Sequence, residues 1–221
     1  MIENLIYNID LNRNLKYNIL DVGARDCMQS IELYYAFPNS NIYSFECNPN
    51  TLDICKNNIK NYKVGDRVKL IEGAVCDYDG TVDFYPIDQE KNETVHADGN
   101  PGASSMFQHN GTYTAESLPQ YKINVNCHRL DSVMQKHGVE NVDIIWMDLQ
   151  GAEMLALKGL GDYLKNVKYI YTEVTYKEIY SGQVMFEELN SFLKDNNFSN
   201  QNNPNLKGWQ EDILYKNNNL G

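Results

Sequence analysis

Basic residues are scarce in this chain: 19 Lys and Arg stand against 30 Asp and Glu among 221 residues, a formal net charge of −11. Affinity for a nucleic-acid backbone rests on clustered Lys and Arg, so a small-molecule partner is expected and a nucleic acid is not. A nucleotide-sugar stays compatible, because one or two local cations or a helix start can hold its few phosphates. Cysteines number five, at positions 27, 47, 55, 76 and 127, with no C-x-x-C pair. That odd set suits neither a disulfide framework nor a closed zinc site, and reduced thiols in the cytoplasm are the expectation. No run of eighteen apolar residues occurs, and the start MIENLIYNIDLNRNLKYNIL lacks a basic segment ahead of a long apolar one, so neither a membrane span nor a secretion signal is expected. Two of the three glycines of a dinucleotide fingerprint are missing too: after Gly23 the corresponding places hold Arg25 and Met28. With no Gly-Lys-Ser/Thr there is no P-loop either. Neither a linker nor an internal repeat interrupts residues 1–221, which suits one α/β domain. Oligomeric state is not legible.

What is present is an alternation of short apolar runs and helical patterns, the mark of crossover units and a mostly parallel sheet. Strands are predicted at 17–22, 41–45, 67–71, 121–127, 142–149 and 167–174, with a last one in EDILYKN. Helices are predicted at 28–36, from Asn48-Pro49 to about 60, in LDSVMQKHG, after Gly151 and at 184–195. The turn dipeptide Asp79-Gly80 predicts a hairpin appended to the sheet. Residues 89–120 are polar, Gly-rich and aperiodic, longer than an ordinary loop, and read as a lid, an acceptor-binding loop or a disordered segment.

Ligands of open α/β sheets bind beyond the carboxyl ends of the strands. The residues there are Asp21 and Gly23, Glu46, Asp148 and Glu173. Converging carboxylates repel one another, which a cationic or hydroxyl-rich ligand would relieve. Gly23 followed 23 residues later by Glu46 suits a turn beneath a cofactor and an acid gripping a ribose diol. On spacing alone the pair reads equally well as a tight turn and a solvated strand end.

The blocks DVGARDCMQS, SFECNPN, EGAVCDYDG, GASSM, HRLDSV and IIWMDLQGAEMLALKG, in this order over about residues 18–198, resemble those of the FkbM-type S-adenosylmethionine-dependent methyltransferases. The resemblance implies a class I, Rossmann-like seven-stranded sheet with helices on both faces. It also implies O-methylation of a hydroxyl, usually on a sugar or natural product. Carried over by position, Asp21, Gly23 and Ala24 match the turn around the amino-acid part of the cofactor, Glu46 the ribose acid and Ser30 the serine opening the next helix. Asp77, Ser104 and Ser105 match positions near cofactor or acceptor. Two departures stand out. Cys27 replaces the second glycine of the first loop, which restricts positive φ, and Trp146-Met147 and Gln150 replace the Lys and Glu usual around Asp148.

A sugar hydroxyl becomes a nucleophile when a general base or a divalent cation draws off its proton. Asp148 and Glu173, at neighbouring strand ends, are the candidate catalytic pair and candidate Mg or Mn ligands, by resemblance to catechol-type O-methyltransferases. Glu153 is expected to cap its helix. Among the histidines His128 ranks first by its strand-end place and His109 second, while Tyr176 and Tyr180 suit either stacking on a sugar or edge packing. The expected activity is methylation of a sugar hydroxyl in a nucleotide-activated or surface-polysaccharide precursor. The alternatives are a lipid, polyketide or other natural-product hydroxyl, or a cofactor-binding protein without turnover.

Overall fold

The computed structural model describes residues 2–220. Its first helix, α1 (Ile2–Asn8), leads into β1 (Asn18–Val22), α2 (Met28–Ala36), β2 (Asn41–Glu46), α3 (Pro49–Asn61) and β3 (Val68–Glu72). Then come the short strands β4 (Ala74–Val75) and β5 (Gly80–Phe84), a long segment, β6 (Ile123–His128), α4 (Leu130–Lys136) and β7 (Ile144–Met147). The chain closes with α5 (Glu153–Gly159), β8 (Tyr169–Thr175), α6 (Phe186–Asp195), β9 (Phe198–Asn200) and β10 (Gln210–Asn217).

Seven strands form one sheet in the order β3-β2-β1-β7-β8-β10-β9. Neighbours pair in parallel from β3 to β8, and β10 alone runs against its neighbours. β1 sits near the centre with its last four residues buried, and its alternation feeds two cores. Leu20 and Val22 join Ile145, Met147 and side chains of α4, α5 and α6 on one face. Ile19 joins Ile144, Trp146 and side chains of α1 and α2 on the other. Both sheet faces are thus covered by helices, which is why the parallel strands are almost continuously apolar. α3 starts where Asn48 accepts the N–H of Asn50 at 3.0 Å and Pro49 opens the first turn.

The predicted hairpin takes a different form. β4 and β5, on either side of the Asp79-Gly80 turn, do not pair with each other; β6 lies between them, parallel to β4 and antiparallel to β5, in a separate three-stranded sheet. The long connection therefore springs from the β5–β6 pair and has structure of its own. Isolated bridges join Tyr85 to Ser105, Ile87 to Gln120 and His109 to Tyr180, around a small apolar cluster of Ile87, Ala103 and Leu118. Its ordering is a product of these distant pairings, which no local period announces.

Candidate active site

Parallel strands end together, and at that edge lies a cavity of about 320 Å³, within the range of small-molecule sites. The sheet contributes Gly23, Glu46, Asp148, Gln150 and Gln210; the long segment covers it with His96, Asn100, Ser104, Tyr113, Glu116 and Leu118. Several side-chain bonds tie this cover down. Arg25 pairs with Asp98, Asn48 Nδ2 donates to Ser104 Oγ at 3.1 Å, and Asn50 Nδ2 donates to the Tyr121 hydroxyl at 3.1 Å.

Gly23 turns the chain at φ +90°, and a Cβ there would lie 1.9 Å from the carbonyl oxygen of Asp148. Its N–H and that of Ala24 both donate to Phe45 O, at 3.1 and 2.9 Å. Cys27 follows at φ +61°, and Arg25 at +53°. Both positions thus hold a left-handed backbone without glycine, at a cost of about 1–2 kcal/mol each. The Cys27 thiol is fully buried, and its hydrogen bond with Cys55 together with burial raises its pKa.

Glu46 ends β2 with its carboxylate on the cavity wall. Oε2 accepts the N–H of Arg25 at 2.7 Å, and Oε1 those of Cys47 and Asn48 at 2.9 and 2.6 Å. This acid thus builds the loops that surround it, and Oε2 retains acceptor capacity for a ligand hydroxyl. Asp21 stands one layer behind the wall, buried, receiving the Ser30 hydroxyl on Oδ2, while Oδ1 has no partner among the described residues. Ser30 Oγ also lies 2.6 Å from Ser44 Oγ, so Ser30 serves the buried acid and not the cavity.

Asp148 follows β7 with its side chain exposed to the cavity; the protein packed around its inner side and the charge of Asp212 raise its pKa, less than full burial would. Gln150 Nε2 donates to Asp148 Oδ1 at 2.7 Å and to Glu173 Oε2 at 2.8 Å. Glu173 lies behind that amide, held also by Gln210 Nε2 at 2.7 Å. Burial and the nearby charges of Asp148, Glu153 and Asp212 push its pKa well up. The expected Mg or Mn ligands are thus near neighbours, but the donor set does not fit either ion. An amide NH₂, which donates and does not ligate, stands between the two carboxylates where a cation would sit. Nor do the described residues contain any group of three or more His, Cys, Asp or Glu able to hold a metal.

The remaining expectations divide. Glu153 is buried in the first turn of α5, its Oε1 accepting the N–H groups of Leu149 at 2.9 Å and Gly151 at 3.3 Å; it holds the loop that carries Asp148 and Gln150. Ser105 Oγ donates to Gln150 O at 2.8 Å, so Ser105 anchors that loop while Ser104 reaches the wall. Tyr180 lines the cavity, its hydroxyl 2.8 Å from Ala103 O and 3.1 Å from Gln150 Oε1. Tyr176 does not; it packs on Phe186 and bonds Glu211. His128 is displaced, because β6 ends in the second sheet and its ring packs against Gly73, one layer behind the wall. His109 faces the Tyr180 ring away from the cavity, and Asp77 lies off the wall, its carbonyl accepting Arg129 Nη1 at 2.6 Å. The strand-end rule did not reach Asn48, Tyr113, Glu116 and Gln210. Gln210 had a usable signal, since an antiparallel strand presents its first residue at the edge where parallel strands present their last.

The charge relief expected from a ligand is largely internal. Asp21, Glu46 and Glu153 are each pushed up to about 7 by burial, against their hydrogen bonds. Unfolded, these acids ionise near pH 4, so between about pH 4 and 7 the folded state binds more protons and stability falls as pH rises. The acids whose pKa is lowered, such as Asp98 and Glu116, act with the opposite sign below that window. The ligand-free protein is therefore expected to melt several degrees higher at about pH 5.5 than at about pH 8. Thermal unfolding by circular dichroism checks this, and a flat or rising profile would refute it.

A sheet of this order with one reversed strand, a glycine turn after the first strand and an acid ending the second define a class I, Rossmann-like methyltransferase fold. The chain belongs to the FkbM methyltransferase family: residues 21–199 match the Methyltransferase FkbM domain. The 2-O-methyltransferase NoeI of Sinorhizobium fredii is 29% identical over 175 residues, 75% of this chain and 66% of that protein. Methyltransferase sdnD of Sordaria araneosa is 24% identical over 156 residues, 65% of this chain and 60% of that protein. The chain thus spans less than two thirds of the length of either relative. Methyltransferase FkbM from Methylobacillus flagellatus has a similar solved fold, with TM-score 0.61 at 12% identity, covering 95% of this chain and 45% of that one. TrmK of M. capricolum, solved with S-adenosyl-homocysteine, has TM-score 0.50 at 12% identity over 98% of this chain and 67% of that one. Among the described residues no helix is long and apolar enough to cross a membrane.

Proposed function

We propose that this chain binds S-adenosylmethionine in the cavity and methylates a sugar hydroxyl, with residues 89–120 as a lid over the acceptor. The observation that carries the reading is the joint presence of Gly23, Glu46 and Asp148 on one wall, with Gly23 letting the first loop lie directly against the backbone of Asp148. The residues fit the cofactor. Glu46 offers an acceptor to a ribose diol, and Val75, Phe84 and Leu118 offer apolar surface to a ring. Bound there, S-adenosylmethionine supplies an electrophilic methyl group on a sulfonium.

The chain's own residues do the rest. Asp148 receives the proton of the acceptor hydroxyl, and its raised pKa makes it a stronger base than an ordinary surface carboxylate. The covering segment excludes water and fixes the line of approach. Glu46, Glu116 and Asp148 face the cavity against one guanidinium, Arg25, which is committed to Asp98. An acidic wall of this kind favours a neutral sugar inside, with any phosphates of a nucleotide-activated or polysaccharide precursor left outside.

Calorimetric titration with S-adenosylmethionine and S-adenosylhomocysteine tests the cofactor step. Micromolar binding is expected, weakened about 10- to 100-fold in Glu46→Ala, the scale of a lost hydrogen bond to a charged group. A variant that melts normally yet binds as wild type would remove Glu46 from the site. Absence of binding by the wild type would overturn the reading.

A further inference from the structure

We propose that Gln150 is a positioning residue whose side-chain amide occupies the place of a divalent cation between Asp148 and Glu173, so that this site orients its base without Mg or Mn. The catalytic part rests on the reading of Asp148 above; the metal part does not.

Both hydrogens of the Gln150 amide are used, one on Asp148 Oδ1 at 2.7 Å and one on Glu173 Oε2 at 2.8 Å. The opposite end of the amide is fixed as well, since Oε1 lies 3.1 Å from the Tyr180 hydroxyl. Turning the amide over would set its oxygen against two carboxylates, and it is this pair that fixes the orientation, since the Tyr180 hydroxyl can accept as well as donate. The backbone is held in the same pose: Gln150 sits at φ +51°, and its carbonyl accepts the Ser105 hydroxyl at 2.8 Å. Glu173 Oε2 is further engaged by Gln210 Nε2 at 2.7 Å. An amide NH₂ only donates and cannot ligate a cation, so a metal would have to evict it or turn Oε1 into its place, and either change breaks both bonds to the carboxylates.

The arrangement resembles a carboxylate pair bridged by a metal, with one difference that decides the chemistry. A doubly charged cation withdraws charge from its ligands and from the acceptor oxygen, whereas a neutral amide holds the carboxylates in place and its hydrogen bonds lower the Asp148 pKa without cancelling the rise that burial gives it. Asp148 then keeps its basicity and takes the proton itself, with Oδ1 pinned and the rest of the carboxyl open to the cavity. Substituting Gln150→Glu would set three carboxylates around one point, the hard-oxygen donor set that Mn favours.

Thermal unfolding with and without MnCl₂ at about 1 mM tests this on wild type, Q150E and the double variant Q150E/E173Q. Expected is a wild-type Tm that moves by less than about 1 °C on adding Mn, and a Q150E Tm that starts lower and rises by about 5 °C or more. That rise is lost in the double variant. An equal rise in wild type would overturn the proposal, as would a folded Q150E that does not respond. Should Q150E not fold, Mn titration of the wild type and E173Q by electron paramagnetic resonance still decides: a stoichiometric wild-type site lost in E173Q refutes it, and its absence supports it. For the positioning role, Gln150→Ala is expected to lower kcat about tenfold or more with the KM for S-adenosylmethionine unchanged. EDTA is expected to leave wild-type kcat as it was. A Gln150→Ala change in KM alone would refute positioning. The calorimetric titration stands apart, because cofactor binding can fail while the Mn result holds, and the reverse.

Discussion

Replacing Asp148 by Asn is expected to lower methyl-transfer turnover by about 10²- to 10⁴-fold, the range of a lost general base, while leaving affinity for S-adenosylmethionine within about threefold. The isosteric change keeps the acceptor for the Gln150 amide, since the Asn carbonyl oxygen can take the place of Oδ1, now 2.7 Å from Nε2. The backbone is undisturbed, because Asp148 N donates to Val22 O at 3.0 Å and its carbonyl faces Gly23. What disappears is the proton acceptor on the wall. In wild type, kcat should rise with pH through a limb lying above the ordinary carboxylate range, because burial raises the Asp148 pKa. The limb should be absent from the residual rate of the Asn variant. Transfer of label from S-adenosylmethionine to a panel of neutral oligosaccharides, read between about pH 5 and 9, measures both effects. A variant keeping more than about a tenth of the wild-type turnover would remove Asp148 as the base.

Much of this site was legible because the chemistry sits where a regular pattern stops. β1, β2 and β7 announce themselves as apolar runs, and Gly23, Glu46 and Asp148 follow from reading off their ends; all three line the cavity. The same rule misplaced His128, since it does not reveal which sheet a strand joins, and β6 joins the smaller one. Asp79-Gly80 misled in the same way. A turn dipeptide reports local chain reversal, whereas pairing was decided by β6, some forty positions on, which slots between β4 and β5. β9 is three residues long, too short for any period to show. The covering segment contributes Tyr113 and Glu116 by tertiary bridges, and polar aperiodic sequence says nothing of those. Gln150 was visible as a departure from the family pattern, but its meaning lay in two distances that only the fold supplies.

Gly23→Ala is expected to be the most damaging Gly→Ala change among the described residues. The added Cβ would stand 1.9 Å from Asp148 O and 3.0 Å from its carbonyl carbon, both backbone atoms at the end of a buried central strand. Neither side has room to yield. β1 pairs with β7 from Ile19↔Ile144 to Val22↔Met147, and the Gly23 N–H is held on Phe45 O at 3.1 Å. The residue also sits at φ +90°, where an L side chain is strained even in open space. Steric relief must therefore come from withdrawing the 23–27 loop or parting β1 from β7. Overpacking and strain together suggest a loss of about 3–5 kcal/mol, or about 6–20 °C in Tm for a chain of this size. The two routes are distinguishable. If the loop withdraws, Arg25 N leaves Glu46 Oε2, now 2.7 Å away, and cofactor affinity falls with Tm. If the strands part, far-ultraviolet circular dichroism changes before any ligand is added. A variant with wild-type Tm and wild-type cofactor affinity would mean that the carbonyl of Asp148 moves freely, and the close approach of the first loop to the end of β7 could no longer be what shapes this site.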